Sequence, residues 1–262
     1  MFSFLAKESF FANIGLQKQD VFFYELTDST NDRAREFFMS EGAASPKIFV
    51  AQRQTSGRGT RGRSFDSGCG GLYFSLLIPI DKEPLSPAEV TTAAAAAAVY
   101  ALKELLSMKA DGLFIKWVND LFIRDRKICG ILSERVNENG NGAYIIGIGI
   151  NLLHRDFPRE LASIASSVED MTGARILPGD VLPLILGKLV PALCLKKTSA
   201  LKKIYRKNSI LKNTPITVTD GLGNSRNAKV IGLSKGLCLK VKYEDGERAK
   251  LISGDVKIRL LS

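Results

Sequence analysis

The stretch SGRGTRGRSF at residues 56–65 sets Gly57, Gly59 and Gly62 among Arg58, Arg61 and Arg63, with Phe65 its one large apolar side chain. Ordering three glycines is entropically unfavourable, and three guanidiniums this close repel one another. An anionic ligand removes both objections. Amides free of a crowding side chain approach an oxyanion closely, and arginines add charge-assisted hydrogen bonds. Three more stretches place polar side chains at the ends of apolar runs: DSTNDRA (28–34), KWVNDLFIRDRKICGILSE (116–134) and GIGINL (147–152). None contains G-x-x-x-x-G-K-[ST] or a strand-following G-x-G-x-x-G, so neither a P-loop nor a dinucleotide-binding turn holds the anion.

Other chemistries have less support. Cys69, Cys129, Cys194 and Cys238 are far apart with no C-x-x-C, and the only histidine, His154, has no partner at ligand spacing. Both facts argue against a structural metal site and against histidine-based catalysis. His154, just past an apolar run, reads as a surface or packing residue. The net charge of +10 suits a polyanionic partner, whether nucleic acid, nucleotide or acidic protein. Lys196, Lys197, Lys202, Lys203, Arg206, Lys207 and Lys212 follow one another with no acidic residue between them, which on a helix is ordinarily a solvated face. No apolar run reaches the ~18 residues of a membrane helix, and Lys7 and Glu8 interrupt the N-terminal MFSFLAKESFF, so the expected location is cytoplasmic.

The elements that must carry these stretches alternate between β-type and helical runs from Val21 to about Ser209, the pattern of an α/β domain. KIFVAQ, LYFSLLI and LFIKW read as strands. KICGILSERV and AYIIGIGINLL are two more, joined through NENGNG, whose Asn-Gly pairs favour a tight hairpin turn and therefore a mixed sheet with antiparallel pairs. Ser86, Pro87 and Glu89 form a capping box that starts a helix, and Ala93 to Ala98 let it lie close against its neighbours. A second helical region is predicted from about Asp180 to Asn208, with Pro183 tolerated in the first turn and a kink at Pro191. From about Lys212 to Pro215 onward the texture changes to short β runs and turn clusters, which predicts a small five-stranded SH3-like barrel.

The order and spacing of the four stretches, from Leu26 to Leu152, resemble the biotin protein ligases, and the terminal barrel resembles that family's C-terminal domain. The resemblance implies a catalytic domain over residues 1–212, of the mixed-sheet fold shared with class II aminoacyl-tRNA synthetases, and a barrel domain over 213–262. It implies a two-step reaction with biotin, ATP and Mg2+: biotinyl-5'-AMP forms with release of pyrophosphate, then a lysine of a biotin carboxyl carrier protein takes the biotinyl group. Cations must surround the point where carboxylate and α-phosphate meet. Lys116, matching the lysine of the family's KWPND segment, and Arg58 are the expected catalytic cations. Asp120 is a candidate magnesium contact.

For the biotin end the resemblance carries over Ser29, Thr30, Asn31 and Gln54, whose hydroxyls and amides suit the ureido ring, with Gly57, Arg58 and Lys116 near the carboxylate. Gly130, Leu132, Gly147 and Gly149 are the expected walls, since glycines in strands mark close approach. For ATP and the adenylate it carries over Arg58, Gly59, Thr60, Arg61, Arg63, Phe65, Lys116, Asn119 and Asn151. DSTN begins at Asp28, which leaves too little chain for the helix-turn-helix domain of repressor-type members, so the expectation is a ligase without DNA binding. A homodimer through an exposed sheet edge is also expected.

Two alternatives remain open at this level: a lipoate or octanoate ligase or transferase of the same superfamily, and a nucleic-acid-binding protein. The chain departs from the family pattern at Thr60, where many members have arginine, at Phe65 in place of tryptophan, and at Val118 in place of proline, which frees the backbone before Asn119. With one cation fewer beside the adenylate, the intermediate is expected to escape more readily. Free nucleophiles in solution should then trap it rapidly; tight retention would contradict this.

Overall fold

The computed structural model describes residues 16–80, 84–209, 213–220 and 222–251, with the backbone alone for 255–258 and for Arg61. Seven strands form the main sheet: β1 (Val21–Thr27), β2 (Lys47–Gln54), β3 (Gly71–Ile80), β4 (Leu113–Lys116), β5 (Asp120–Ile123), β6 (Arg126–Glu138) and β7 (Asn141–Asn151). Their order is β1-β2-β3-β7-β6-β5-β4. Only β1 and β2 run parallel; every other neighbouring pair is antiparallel. The sheet is therefore mixed, as the hairpin signals require. The turn between β6 and β7 has Asn139 at φ 49° and Gly140 at φ 81°, the left-handed pair that matches strand twist in a two-residue hairpin.

Among the described residues six α-helices accompany the sheet: α1 (Thr30–Glu41), α2 (Pro87–Leu106), α3 (Arg159–Ala162), α4 (Val168–Thr172), α5 (Pro178–Cys194) and α6 (Ser199–Asn208). The capping box at the start of α2 is formed: the Glu89 amide donates to Ser86 Oγ at 3.3 Å, and the Ser86 amide donates to Glu89 Oε2 at 3.1 Å. Ala93 to Ala98 are all buried in the larger apolar cluster, so the helix backbone comes close to the sheet, with α5 and α6 stacked outside it. The single helical region expected near 180–208 is two helices. It breaks after Cys194, where Lys196 takes φ 53°, and Pro183 falls in the second turn of α5 rather than the first. The basic run is partly structural. Lys202 pairs with Glu89 on α2, and Arg206 Nη2 donates to the carbonyls of Ser234 and Lys235 at 2.7 and 2.8 Å.

The two faces of the sheet do different work. Ile146, Ile148 and Ile150 of β7 point into the cluster beneath α2, whereas Ala143 and Ile145 join Ala34 and Phe38 of α1 on the other side. Alternation then puts Gly147, Gly149 and Asn151 on the α1 face. A second sheet holds β8 (Pro215–Thr219), β9 (Ser225–Leu233), β10 (Leu239–Tyr243), β11 (Arg248–Leu251) and β12 (Asp255–Ile258) in the antiparallel order β11-β10-β9-β8-β12. Five strands match the expectation; among the described residues β11 and β12 do not pair to close a barrel. None of the helices is long and apolar enough to cross a membrane, among the described residues.

The second sheet is tied to the KWVND turn. Trp117 Nε1 donates to the Leu237 carbonyl at 3.0 Å, and the Tyr205 hydroxyl of α6 donates to the Val118 carbonyl at 3.0 Å. Asn119 is held on the far side, its Nδ2 donating to the Ile131 carbonyl at 2.7 Å and its carbonyl accepting from the Ile131 amide at 3.0 Å. Val118 therefore does not leave this backbone loose: three neighbours fix what the proline would have stiffened. The Trp117–Val118 peptide is cis. Trp117 is 4% exposed, so Trp117→Phe leaves the Leu237 carbonyl buried without its donor. A loss of about 1–3 kcal/mol in urea unfolding is expected; an unchanged midpoint would show that the bond contributes nothing.

Candidate active site

A cavity of about 250 Å³ opens on the α1 face, lined by Ser29, Thr30, Asn31 and Gln54, by Arg58, Gly59, Thr60, Arg63 and Phe65, by Asn119, Asp120, Gly130, Leu132, Gly147, Gly149 and Asn151, and by Lys127. The four stretches singled out in the sequence thus meet in one place. Gly57 lies behind the lining rather than in it. Lys116 is not in the lining either, and the side chain of Arg61 lies outside the described residues.

The polar end is a closed hydrogen-bond network. Ser75 Oγ stands 2.7 Å from Thr30 Oγ1 and 2.6 Å from Asn31 Oδ1. Gln54 Oε1 accepts from the Thr30 amide at 2.7 Å and from its hydroxyl at 3.1 Å, and Gln54 Nε2 donates to Ser67 Oγ at 2.8 Å. Asn31 Nδ2 donates to Glu134 Oε2 at 2.9 Å. Ser29, Thr30, Asn31, Ser67 and Ser75 are all buried, so these partners fix each amide and hydroxyl before any ligand arrives. Gly147 makes room for the network: a Cβ there would lie 2.2 Å from Asn31 Oδ1.

The middle of the cavity is a glycine window. Gly130 and Gly149 face each other across β6 and β7, and the Phe65 ring lies over both. A Cβ added to Gly149 would sit 2.5 Å from that ring and one on Gly130 2.9 Å from it. The arginine-glycine turn that carries Phe65 is a narrow loop. The Phe65 amide donates to the Gly57 carbonyl at 2.8 Å and the Gly59 amide donates to the Arg63 carbonyl at 2.7 Å. Gly62 takes φ 72°, a conformation that a side chain would strain. Arg58 Nη1 donates to Asp32 Oδ1 at 2.5 Å, and its Nη2 lies 3.5 Å from Glu134 Oε1. The Asp32 hydrogen bond first, then the Glu134 and Asp32 charges, hold the guanidinium above its ordinary pKa despite desolvation.

The lysine that lines the cavity is Lys127. Lys116 ends β4 opposite Asp120, with its Nζ 5.1 Å from the Phe122 ring centroid. Lys127 Nζ lies 2.8 Å from Asp120 Oδ1 and 5.8 Å from the Phe65 ring centroid. The reason is a bulge. Asp120 pairs with Gly130 and Leu121 with Cys129, but Phe122 pairs with Lys127. Ile128 and Cys129 are consequently both buried, and Lys127 shares the cavity face with Gly130 although they are an odd three positions apart. Strict alternation counted from Gly130 hides Lys127; the bulge restores it. Asp120 Oδ1 is buried and accepts no hydrogen bond, so the ammonium meets it at ion-pair distance but off the hydrogen-bonding direction. The 164–166 segment holds Lys127 from outside: its amide donates to the Ile164 carbonyl at 2.8 Å and its carbonyl accepts from Ser166 at 3.0 Å.

Sequence reasoning also missed the apolar wall of Phe157, Leu161, Ile164 and Ala165, whose scattered apolar residues gave no periodic signal. His154 is exposed, as expected, with Nδ1 2.6 Å from Asp170 Oδ1. That contact raises the imidazole pKa, while hydrogen bonds from Ser167 and His154 outweigh desolvation to lower that of Asp170.

The profile of the Biotin/lipoate A/B protein ligase family matches residues 23–151. The bifunctional ligase/repressor BirA of Bacillus subtilis is 30% identical over 92% of this chain and 74% of its own length. Among solved structures, biotin protein ligase from Aquifex aeolicus in complex with biotin and ATP superimposes with a TM-score of 0.73 at 25% identity, covering 91% of this chain and 98% of that one. The Leishmania major biotin protein ligase in complex with biotinyl-5-AMP gives 0.62 at 25% identity, covering 89% and 98%.

His154 is the only histidine, so a single imidazole titration can be followed by NMR. Its pKa should lie above the ordinary value, and Asp170→Asn should return it there. The stability due to the pair is present below pH ~6.5 and disappears as pH rises through the raised folded-state value; a titration unmoved by Asp170→Asn would refute the pairing. The shared profile, the relative and the superimposed folds agree with the cavity: the chain belongs to the biotin/lipoate A/B protein ligase family.

Proposed function

We propose that the chain is a biotin protein ligase, and the observation that carries this reading is a single cavity lined by Lys127, by Arg58 and by the preset Thr30–Asn31–Gln54 network. A ureido ring needs a donor and acceptor arrangement of that kind. An acyl-adenylate needs cations beside it. In the first step a carboxylate oxygen of biotin attacks the α-phosphorus of ATP and the P–O bond to pyrophosphate breaks. In the second, a carrier lysine amine attacks the acyl carbon, AMP leaves with the electron pair, and the amine loses a proton.

Lys127 offsets the charge of both anions where they meet, displacing its contact with Asp120. Arg58 and Arg63 face the phosphates, Phe65 covers the alkyl chain over the glycine window, and Asn151 contacts the base. A magnesium ion held chiefly by the nucleotide would draw on Asp120, a carboxylate of the cavity lining that faces the Lys127 ammonium at 2.8 Å. Magnesium bound there would neutralise phosphate charge. Lys116, one strand further out, supports the turn rather than the chemistry. A biotin carboxyl carrier protein is the acceptor in this reading, residues 213–262 form a barrel domain beside the catalytic domain of 1–212, and a homodimer would use β1, the edge strand among the described residues, where Leu26 is exposed. The lipoate reading is weaker because the arginine-glycine turn and second sheet follow the biotin branch.

Biotin-dependent exchange of labelled pyrophosphate into ATP tests the reading, with lipoate as competitor. Lys127→Ala should lower the exchange rate roughly 100- to 1,000-fold with an unchanged fold, whereas Lys116→Ala should retain most of it. The reverse ranking would return the central role to Lys116, and exchange supported by lipoate but not biotin would overturn the assignment.

A further inference from the structure

Arg155 stands just behind the cavity wall and touches three residues that line it. Its Nη1 donates to Asp66 Oδ2 at 2.6 Å, and its Nη2 donates to the Asp66 carbonyl at 3.0 Å and to Asn151 Oδ1 at 3.4 Å. Its Cζ lies 4.1 Å from the Phe157 ring centroid. Asp66, Asn151 and Phe157 line the cavity; Arg155 does not. The side chain is 11% exposed, and Nε is buried without a hydrogen-bond partner. A desolvated guanidinium with a donor left over is a poor way to gain stability alone. It is a good way to hold three groups in one plane.

We propose that Arg155 is a positioning residue for the nucleotide end of the site, turning the Asn151 amide nitrogen toward the cavity and anchoring the exit of the arginine-glycine turn through Asp66. The first part follows from donor counting. A guanidinium has only donors, so the Asn151 oxygen faces it and the Asn151 NH2 is the group left for a ligand. An NH2 in that place pairs with an acceptor nitrogen of a purine ring. The second part follows from the fork: Asp66, one residue beyond Phe65, is gripped through both its carboxylate and its carbonyl, which fixes where the turn re-enters β3. Gly68 leaves the room, since a Cβ there would lie 2.7 Å from Arg155 Nη1. Lysine, a single point charge, cannot reproduce two grips at once.

This inference rests on the site being one that uses ATP, and its test separates the two. The variants are Arg155→Ala, Arg155→Lys, Asn151→Ala, the double variant Arg155→Ala with Asn151→Ala, and Gly68→Ala, which crowds the guanidinium without removing its charge. Each is measured for KM of ATP and of biotin in the exchange reaction, for ATP affinity by calorimetry, and for its urea midpoint. Arg155→Ala is expected to weaken ATP at least tenfold by both measures while the biotin KM stays within twofold. Arg155→Lys should not restore it, and Gly68→Ala should shift ATP in the same direction. In the Asn151→Ala background the further loss should be under threefold, as for residues acting through one another. ATP constants unchanged in Arg155→Ala, parallel rises for ATP and biotin, or fully additive losses would each overturn the proposal. A wild-type chain that binds ATP but shows no biotin-dependent exchange would sink the ligase reading alone, and the calorimetric comparison would still decide the role of Arg155. Absence of ATP binding by the wild-type chain would overturn both.

Discussion

The repulsion between a carboxylate and a triphosphate is the constraint around which the cavity is organised. Cations must be present before the anions arrive, and cations without partners would repel each other and draw in water. The fold answers with carboxylates at graded distances: Asp120 at 2.8 Å from Lys127, Asp32 at 2.5 Å and Glu134 at 3.5 Å from Arg58, Asp66 at 2.6 Å from Arg155. The pairs differ in what surrounds them. Arg155 is almost wholly enclosed, whereas the Lys127 and Arg58 side chains are 27% and 42% exposed. The Lys127 and Arg58 pairs are open to the cavity, whereas the Arg155 pair is enclosed behind its wall.

Everything else in the sheet serves this arrangement. Gly130 and Gly149 remove side chains where a ligand and the Phe65 ring must share space, and the β6 bulge brings Lys127 onto the same face as that window. The KWVND turn is gripped by α6 and by the second sheet, so Asn119 and Asp120 are oriented by contacts that come from far along the chain. The opposite face is packed under α2.

Legibility in the sequence followed the range of the interaction. The α2 start at Ser86, Pro87 and Glu89 and the turn at Asn139 and Gly140 depend on residues within four positions, and both formed as read. The stacking of six alanines against the sheet was equally visible. The break between α5 and α6 was not, because nothing local stops a helix at Leu195; tertiary contacts of Lys202 and Arg206 set where α6 must lie. Thr30, Asn31, Gln54, Arg58, Gly149 and Asn151 line the cavity, and so does Lys127, which the one extra residue in β6 brings onto that face; Lys116 does not. Periodicity cannot register such an insertion when its flanks, Ile128 and Cys129, are both apolar. Arg155 was invisible for the same kind of reason: its partner Asp66 is 89 positions away.

The alanine seam under α2 has one more implication. Ala93 to Ala98 are buried and carry a single methyl each, so any substitution other than glycine adds atoms to a space that is full. That layer acts as a fixed datum plane against which the sheet is referenced, so loops and pocket walls on the other side can change without recalibrating the scaffold.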